Sequence, residues 1–387
     1  MLGVILVSGY FFGLVAEKID LPRVTAYLLA GVLFSDSILG HLISIQTEHW
    51  TSHFSEFCLG VIAYIVGGEI NLNTFKTNGR VILWSTLFSS LLPVIFVFLA
   101  FTLLQGFLNP SHSTLFIILA ALSSTTAPAA TIAIIDQYKT KGELTDTTLG
   151  IVALDDAFGI LIFSAVVGLF VSANTQTGAL HTIQEIGLAI AFGTCLGLAL
   201  RKMANLSNSN DYLFPLLIGL ILLTVGLSHK FAFSTLLSCM IIGLIANNFH
   251  KESQTKVSLL LPIQHIEEFI FITFFTLAGM HFSPEHFSTS LPFIICYVFF
   301  RGLGKYFGAH IGAKIGHPIN PTTPKWLGLT LLPQAGVAIG LLLQLMHYPE
   351  VQPFQELLFN IVLGSTMVSE VLGPLASKIA FRAAGEI

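Results

Sequence analysis

This sequence predicts an all-α polytopic membrane protein with thirteen transmembrane helices. Three observations carry the prediction. Hydrophobic residues make up 54% of the 387, and Lys, Arg, Asp and Glu together only 10%, against about 25% in soluble domains. Apolar runs long enough to cross about 30 Å of hydrocarbon recur along the whole chain. Positive charge falls on alternate connectors between those runs, as the positive-inside rule requires.

The runs lie at about 2–16, 24–40, 57–70, 81–106, 113–135, 146–172, 183–200, 212–228, 231–248, 258–280, 291–313, 326–346 and 356–377. The first opens at Met1 with no basic n-region or small-residue cleavage site, so it reads as a span rather than a cleaved signal. Connectors are short and the last run ends near the end of the chain. One membrane domain over 1–387 is therefore expected, with neither an inserted nor an appended soluble domain. The 33 Gly and 33 Phe suit such a bundle, small residues permitting close helix approach and aromatics filling the surface.

With the amino end outside, the inner connectors and tail hold Lys18, Arg23, Lys76, Arg80, Lys139, Lys141, Arg201, Lys202, Lys251, Lys256, Lys314, Lys325, Lys378 and Arg382. The outer side keeps only Lys230, and Arg301 and Lys305 fall inside a run. A miscount of one span scrambles this pattern, so thirteen spans with the tail inside is the predicted topology. The basic residues form no cluster and the net charge is −4, which leaves nucleic-acid binding without an electrostatic basis. Cys58, Cys195, Cys239 and Cys296 are scattered, and none has CxxC spacing for a metal or disulfide framework. Nine of thirteen His sit in outer connectors. No pair has ligand spacing on a predicted helix, so they read as the polar residues of loops where Lys and Arg are disfavoured.

An ionisable group at membrane depth costs about 2.5–3.5 kcal/mol or more and is a functional-site hypothesis by default. Leu154-Asp155-Asp156-Ala157 lies some way into the sixth run. Two adjacent carboxylates there repel each other and lose hydration, so the pair wants a proton, a metal cation or a basic partner. Arg301 and Lys305, four apart on one face of the eleventh run, are the natural counter-charges.

Two runs carry helix-break signals. The fifth contains Ser123-Ser124-Thr125-Thr126-Ala127-Pro128 and the twelfth Leu331-Leu332-Pro333-Gln334-Ala335-Gly336. Proline removes a helix hydrogen bond, and nearby hydroxyls can satisfy the freed groups. Matched interruptions in two halves mark the binding site of an inverted-repeat transporter. The fifth and twelfth runs are seven apart, an odd number, so the halves have opposite orientation. The repeats are then 1–172 and 212–382, with the seventh run at 183–200 as linker. Lesser polar sites are Glu69, Glu267, Glu268 and Glu370, with Asp36 a weaker case. Glu69 is expected to pair with a basic group at the inner face, Glu267 and Glu268 to reach the interface, and Glu370 to find a polar partner in the bundle.

The runs Ser124-Thr-Thr-Ala-Pro-Ala-Ala-Thr131 and Gly150-Ile-Val-Ala-Leu-Asp-Asp-Ala-Phe-Gly159 resemble the ion-binding region of bacterial monovalent cation/proton antiporters, most closely sodium/proton exchangers with the double-aspartate motif. Further matching stretches are Leu21–Gly31, Phe274–Gly279, Gly304–Gly308, Pro333–Ala338 and Ser369–Pro374. The resemblance implies the antiporter fold of two six-helix inverted repeats, with crossing broken helices in a core and a separate panel making a homodimer interface. It implies Asp156 as principal cation ligand and proton carrier, Asp155 paired with Lys305 or Arg301, and oxygens lent by Ser124, Thr125 and Thr126. It implies no cofactor beyond the transported Na⁺ and H⁺, and a site in the lipid of the bacterial inner membrane. Ser35-Asp36 replaces the Gly-Pro of many relatives, and the Asp-Asp pair differs from the Gln-Asp of potassium-export relatives.

The expected function is exchange of Na⁺, or Li⁺, for H⁺ by alternating access, electrogenic if two protons trade for one cation. K⁺/H⁺ exchange is the alternative, since carboxylate and hydroxyl oxygens do not by themselves choose among these ions. An intramembrane aspartyl protease needs its acids on separate helices, and here they are neighbours on one. No enzyme is therefore expected. A cation channel is the remaining different class, told apart by flux without proton coupling.

Overall fold

A backbone in hydrocarbon must satisfy its amides within its own segment, and apolar runs of this length do so as helices. The computed structural model describes residues 2–18, 22–35, 38–39, 49–70, 75–104, 113–171, 178–206, 212–248, 259, 263 and 265–387. Among them there is no strand. The helices are α1 (Leu2–Lys18), α2 (Arg23–Leu33), α3 (His49–Glu69), α4 (Phe75–Leu103), α5 (Ser113–Leu122), α6 (Pro128–Tyr138), α7 (Glu143–Val166) and α8 (Gly178–Leu206). They continue with α9 (Leu213–Phe231), α10 (Thr235–Asn248), α11 (Glu267–Met280), α12 (Phe287–Gly316), α13 (Thr323–Trp326), α14 (Gly336–Gln344) and α15 (Gln355–Ala384). Each of the thirteen predicted runs carries at least one of them.

Among the described residues, six helices are long and apolar enough to cross a membrane, or seven if the bent pair Thr323–Leu331 and Gly336–Gln344 counts as one span. Arg23–Leu33, His53–Gly68, Ser113–Leu122 and Thr235–Asn248 are shorter apolar segments. Leu198, Leu223, Ile295, Phe299, Leu375 and Ile379 stand exposed around the bundle. Water would penalise so much apolar surface; acyl chains do not.

Both predicted breaks are present. α5 ends at Leu122, residues 123–127 leave the helix, and α6 begins with Pro128 at its first position, where a missing N–H costs nothing. In the twelfth run a 3₁₀ turn over Leu327–Leu331 ends before Pro333, α14 starts at Gly336, and the two arms bend by 50°. The broken segments cross, because the Ala127 N–H donates to the Pro333 carbonyl at 2.9 Å.

Close packing sets where the site lies. Gly304, Gly308, Gly312 and Gly316 form a row four residues apart along α12, and a Cβ at any of them would collide with the α4 backbone at Pro93, Phe88, Trp84 or Val81. Small residues at this spacing let two helices touch backbone to backbone. α7 packs on α4 as well, with Gly150 against Ile82. Its exposed N-terminal amides are met by the chain end: the Glu386 carboxylate accepts from the Leu144 and Thr145 N–H groups, each at 2.8 Å.

One contact is built twice. A Cβ on Gly31 would strike the Thr276 carbonyl, and one on Gly243 the Tyr64 carbonyl; Gly279 likewise meets the Leu28 carbonyl, and Gly67 that of Met240. Positions 31 and 243, 67 and 279, 28 and 240, and 64 and 276 all differ by 212 residues. The α2–α11 crossing thus maps onto the α10–α3 crossing with every partner exchanged.

Candidate ion-binding site

The centre is assembled from α7, α12, α4 and the two helix breaks. Asp155 and Asp156 are fully buried on α7, and Lys305 is fully buried on α12. The Lys305 Nζ lies 2.7 Å from Asp155 Oδ2 and donates to the Ser124 carbonyl at 2.5 Å. Ser90 Oγ, with one proton to give, is 2.8 Å from Asp155 Oδ1 and 2.8 Å from the Thr86 carbonyl. The carboxylate is the stronger acceptor of the two. Ser89 Oγ stands at 3.5 Å from the same oxygen. Asp156, next along the helix, is within the electrostatic reach of Lys305.

Arg301, four residues before Lys305, does different work. Its Nη1 donates to the Leu332 carbonyl at 2.6 Å, and its Nη2 to the carbonyls of Thr125 at 2.7 Å and Pro333 at 3.1 Å. The guanidinium fork therefore joins the two broken segments at the negative ends of their preceding arms. Of the two basic residues read as counter-charges, Lys305 is the one bonded to Asp155. Glu370 of α15 is buried nearby and interacts electrostatically with Arg301.

The hydroxyls of the first break satisfy the end of α5. Ser123, Ser124 and Thr125 donate to the carbonyls of Ala120, Ala121 and Leu122 at 2.6, 2.7 and 3.1 Å, and Thr126 donates to Leu331 at 3.4 Å. Their protons are spent on backbone, so what remains to offer a ligand is oxygen lone pairs. Gly159 lets this segment sit on α7, its missing side chain replaced by Thr125 Cγ2 at 2.8 Å from an ideal Cβ. Gln334, between Pro333 and Gly336, donates to the Leu122 carbonyl at 2.9 Å and to Tyr297 Oη at 3.0 Å. The side chains of Glu69 and Pro128 lie outside the described residues.

Asp155, Asp156, Lys305, Arg301, Ser124, Thr125, Thr126, Pro333 and Gly336 are thus one assembly, with Glu370 at its edge. Sequence reasoning did not single out Ser89, Ser90, Gln334 or Tyr297. Ser89-Ser90 is a hydroxyl pair in an apolar run just before Pro93, the same signal that marked residues 123–126.

Two buried acids beside one amine, walled by carbonyl and hydroxyl oxygens, leave a negative charge uncompensated when all are ionised, and so can take up a small hard cation or a proton in its place. A family model for the transmembrane part of sodium/hydrogen exchangers matches residues 3–382. The chain belongs to the sodium/hydrogen exchanger family. Over 230 residues this chain is 26% identical to Na(+)/H(+) antiporter 1 of Methanocaldococcus jannaschii, a match covering 58% of this chain and 53% of that protein. The chain spans about half the length of that curated relative. Two structures of the sodium proton antiporter MjNhaP1 from the same organism, one determined at pH 8, have TM-scores of 0.73 and 0.72 and 19% identity. They cover 98% and 100% of this chain and 97% of each of those chains. The chain shares their fold over nearly its whole length.

Proposed function

We propose that this exchanger trades Na⁺ for H⁺ by alternating access, with Asp156 as the principal cation ligand and proton carrier. The observation that carries the reading is the fully buried Asp155–Asp156 pair tethered by Lys305 beside two crossing helix breaks. Burial makes a bare negative charge there expensive. Na⁺ held by both carboxylates offsets one of their two negative charges and lets Asp155 release Lys305, which then gives up its proton, Asp156 having given up the other. When Na⁺ leaves, protons return and the Asp155–Lys305 pair forms again. Either occupied state hides charge well enough for the site to change sides, while a half-loaded one does not. Because the groups share protons, their titration belongs to the cluster and not to one residue. If two protons exchange for one Na⁺ the cycle is electrogenic, and the inward proton gradient drives Na⁺ out.

The rest of the reading follows from the same source. Thirteen spans, an external amino end, a cytoplasmic tail, the bacterial inner membrane and a homodimer belong to this proposal. So do inverted repeats over 1–172 and 212–382, which the 212-residue register of the doubled glycine contact supports. Transport and not catalysis is the reading because the two acids are neighbours on one helix, the wrong geometry for an aspartyl protease.

Reconstituted vesicles with an imposed pH gradient test it. Na⁺ added to wild type should dissipate the gradient, and Asp156→Asn should abolish the response. Wild-type flux in that variant overturns the assignment. Separate titrations with Li⁺ and K⁺ order the cations, and a response to K⁺ alone replaces Na⁺/H⁺ by K⁺/H⁺ exchange.

A further inference from the structure

The proposed transport cycle uses none of the histidines. Two of them nevertheless converge on a carboxylate at one end of the bundle. His53 and Glu56 are one turn apart on α3, hence on the same face, and His229 lies in the last turn of α9. The two helices meet at Gly60, whose ideal Cβ would stand 3.0 Å from Ile221 and 3.7 Å from Val225. One turn further along each helix come Glu56 and His229, so the glycine contact brings them together. His229 Nε2 lies 2.6 Å from Glu56 Oε2, and His53 Nδ1 lies 3.9 Å from the same oxygen. One ligand atom from each of the three residues falls within 4.8 Å of the others. The carboxylate is set in at 19% exposure, with the imidazoles at the rim at 74% and 54%.

We propose that His53, Glu56 and His229 bind a borderline divalent transition-metal ion, of which Zn²⁺ is the type. Two imidazole nitrogens and one carboxylate oxygen are a three-ligand set that Zn²⁺ accepts with water in the fourth position. Mixed nitrogen and oxygen donors select against Ca²⁺ and Mg²⁺, which take oxygen alone. Metal–ligand distances of about 2.0–2.2 Å put tetrahedral donors about 3.4 Å apart, so His53 must come closer while the hydrogen-bonded Glu56–His229 pair opens, and the two exposed imidazoles supply both movements by rotation. The carbonyl end of α9 adds a favourable field for a cation. Lys230 opposes it, but its Nζ stands over the Phe231 ring at 5.8 Å. Bound metal pins α3 to α9 at this end. Among the described residues neither helix bonds to Asp155 or Lys305, so the ion is a staple and not a participant in exchange.

The test uses the full chain in detergent, stripped by a chelator and titrated with Zn²⁺ by equilibrium dialysis, with melting temperature read in parallel. Wild type should take up one more Zn²⁺ per chain than His53→Ala/His229→Ala, and only wild type should melt at a higher temperature with metal. Glu56→Gln should weaken the affinity by at least about tenfold, the loss that even an outer-shell partner brings. Both substituted histidines are exposed, and the metal-free double variant should keep wild-type Na⁺-dependent flux. Equal Zn²⁺ uptake by wild type and the double variant overturns the site, leaving Glu56 and His229 as a plain hydrogen-bonded pair. An equal melting shift with Mg²⁺ or Ca²⁺ overturns the donor argument.

Discussion

Two cations four residues apart on one helix face hold separate posts, and side-chain shape explains the division. The ammonium of Lys305 is a point charge small enough to sit between Asp155 Oδ2 and the Ser124 carbonyl. The planar fork of Arg301 reaches three carbonyls on two different segments, which a lysine cannot span. Removing one member of a buried ion pair strands the other, at a cost of about 3–5 kcal/mol. Lys305→Met should therefore lose stability on that scale, and Lys305→Met combined with Asp155→Asn should recover most of it. Denaturant or thermal unfolding in detergent reads the cycle; strictly additive losses would contradict a direct pair. Ser90 supplies a hydrogen bond to the same carboxylate, and bonds to charged groups are worth about 1.5–3 kcal/mol. Ser90→Ala should raise the apparent KM for Na⁺ about tenfold, with an unchanged KM showing that the bond does not tune the site. The acids and bases of this cluster stood out in the sequence because charge is rare in apolar runs. Ser89 and Ser90 did not, because hydroxyls are common there and only the α4–α7 contact gives them a role.

At the scale of elements, the α4–α12 seam decides whether the site exists. The glycine row of α12 leaves α4 no gap to absorb a side chain, since the obstructing atoms are backbone. Forcing a methyl or larger group into such packing costs about 1–3 kcal/mol, and more where nothing can shift. Gly308→Leu should lower the melting temperature and abolish exchange, because Lys305 is one turn away on the same helix. Gly219→Ala on α9, where nothing lies within 4 Å of an ideal Cβ, should leave both unchanged or raise stability slightly. Similar losses in the two variants would remove the seam from the explanation. The breaks themselves were legible in the sequence: proline after a hydroxyl run, and proline followed by glycine. Their crossing came from the resemblance and not from any local signal, since the Ala127–Pro333 bond joins residues more than 200 apart.

For the whole molecule, the predicted topology makes the two sides chemically unlike. In that topology one side gathers the basic residues, and the other holds His53, Glu56, His229 and Lys230. If the charge bias sets orientation, a cysteine at Lys230 should react with a membrane-impermeant maleimide from outside intact cells. A cysteine at Arg382 should react only after permeabilisation. Both positions are exposed, so reactivity reports sidedness; the reverse pattern inverts the topology. Cys195, the exposed native thiol, is replaced first, whereas Cys58, Cys239 and Cys296 are buried.

What the sequence determined alone was the class, the all-helical architecture, the two breaks and the buried acids and bases. These are local properties: hydropathy over a span, proline chemistry, and the cost of charge in hydrocarbon. The fold decided the partnerships. It set Lys305 rather than Arg301 on Asp155, gave Arg301 to the broken segments, and drew His53 and His229 onto one carboxylate from runs five apart. The physical reason is that periodicity puts residues on a face without saying which neighbour that face meets. Helix rotation and approach come from backbone contacts at glycines such as Gly60 and Gly308, and those contacts exist only once distant segments have packed.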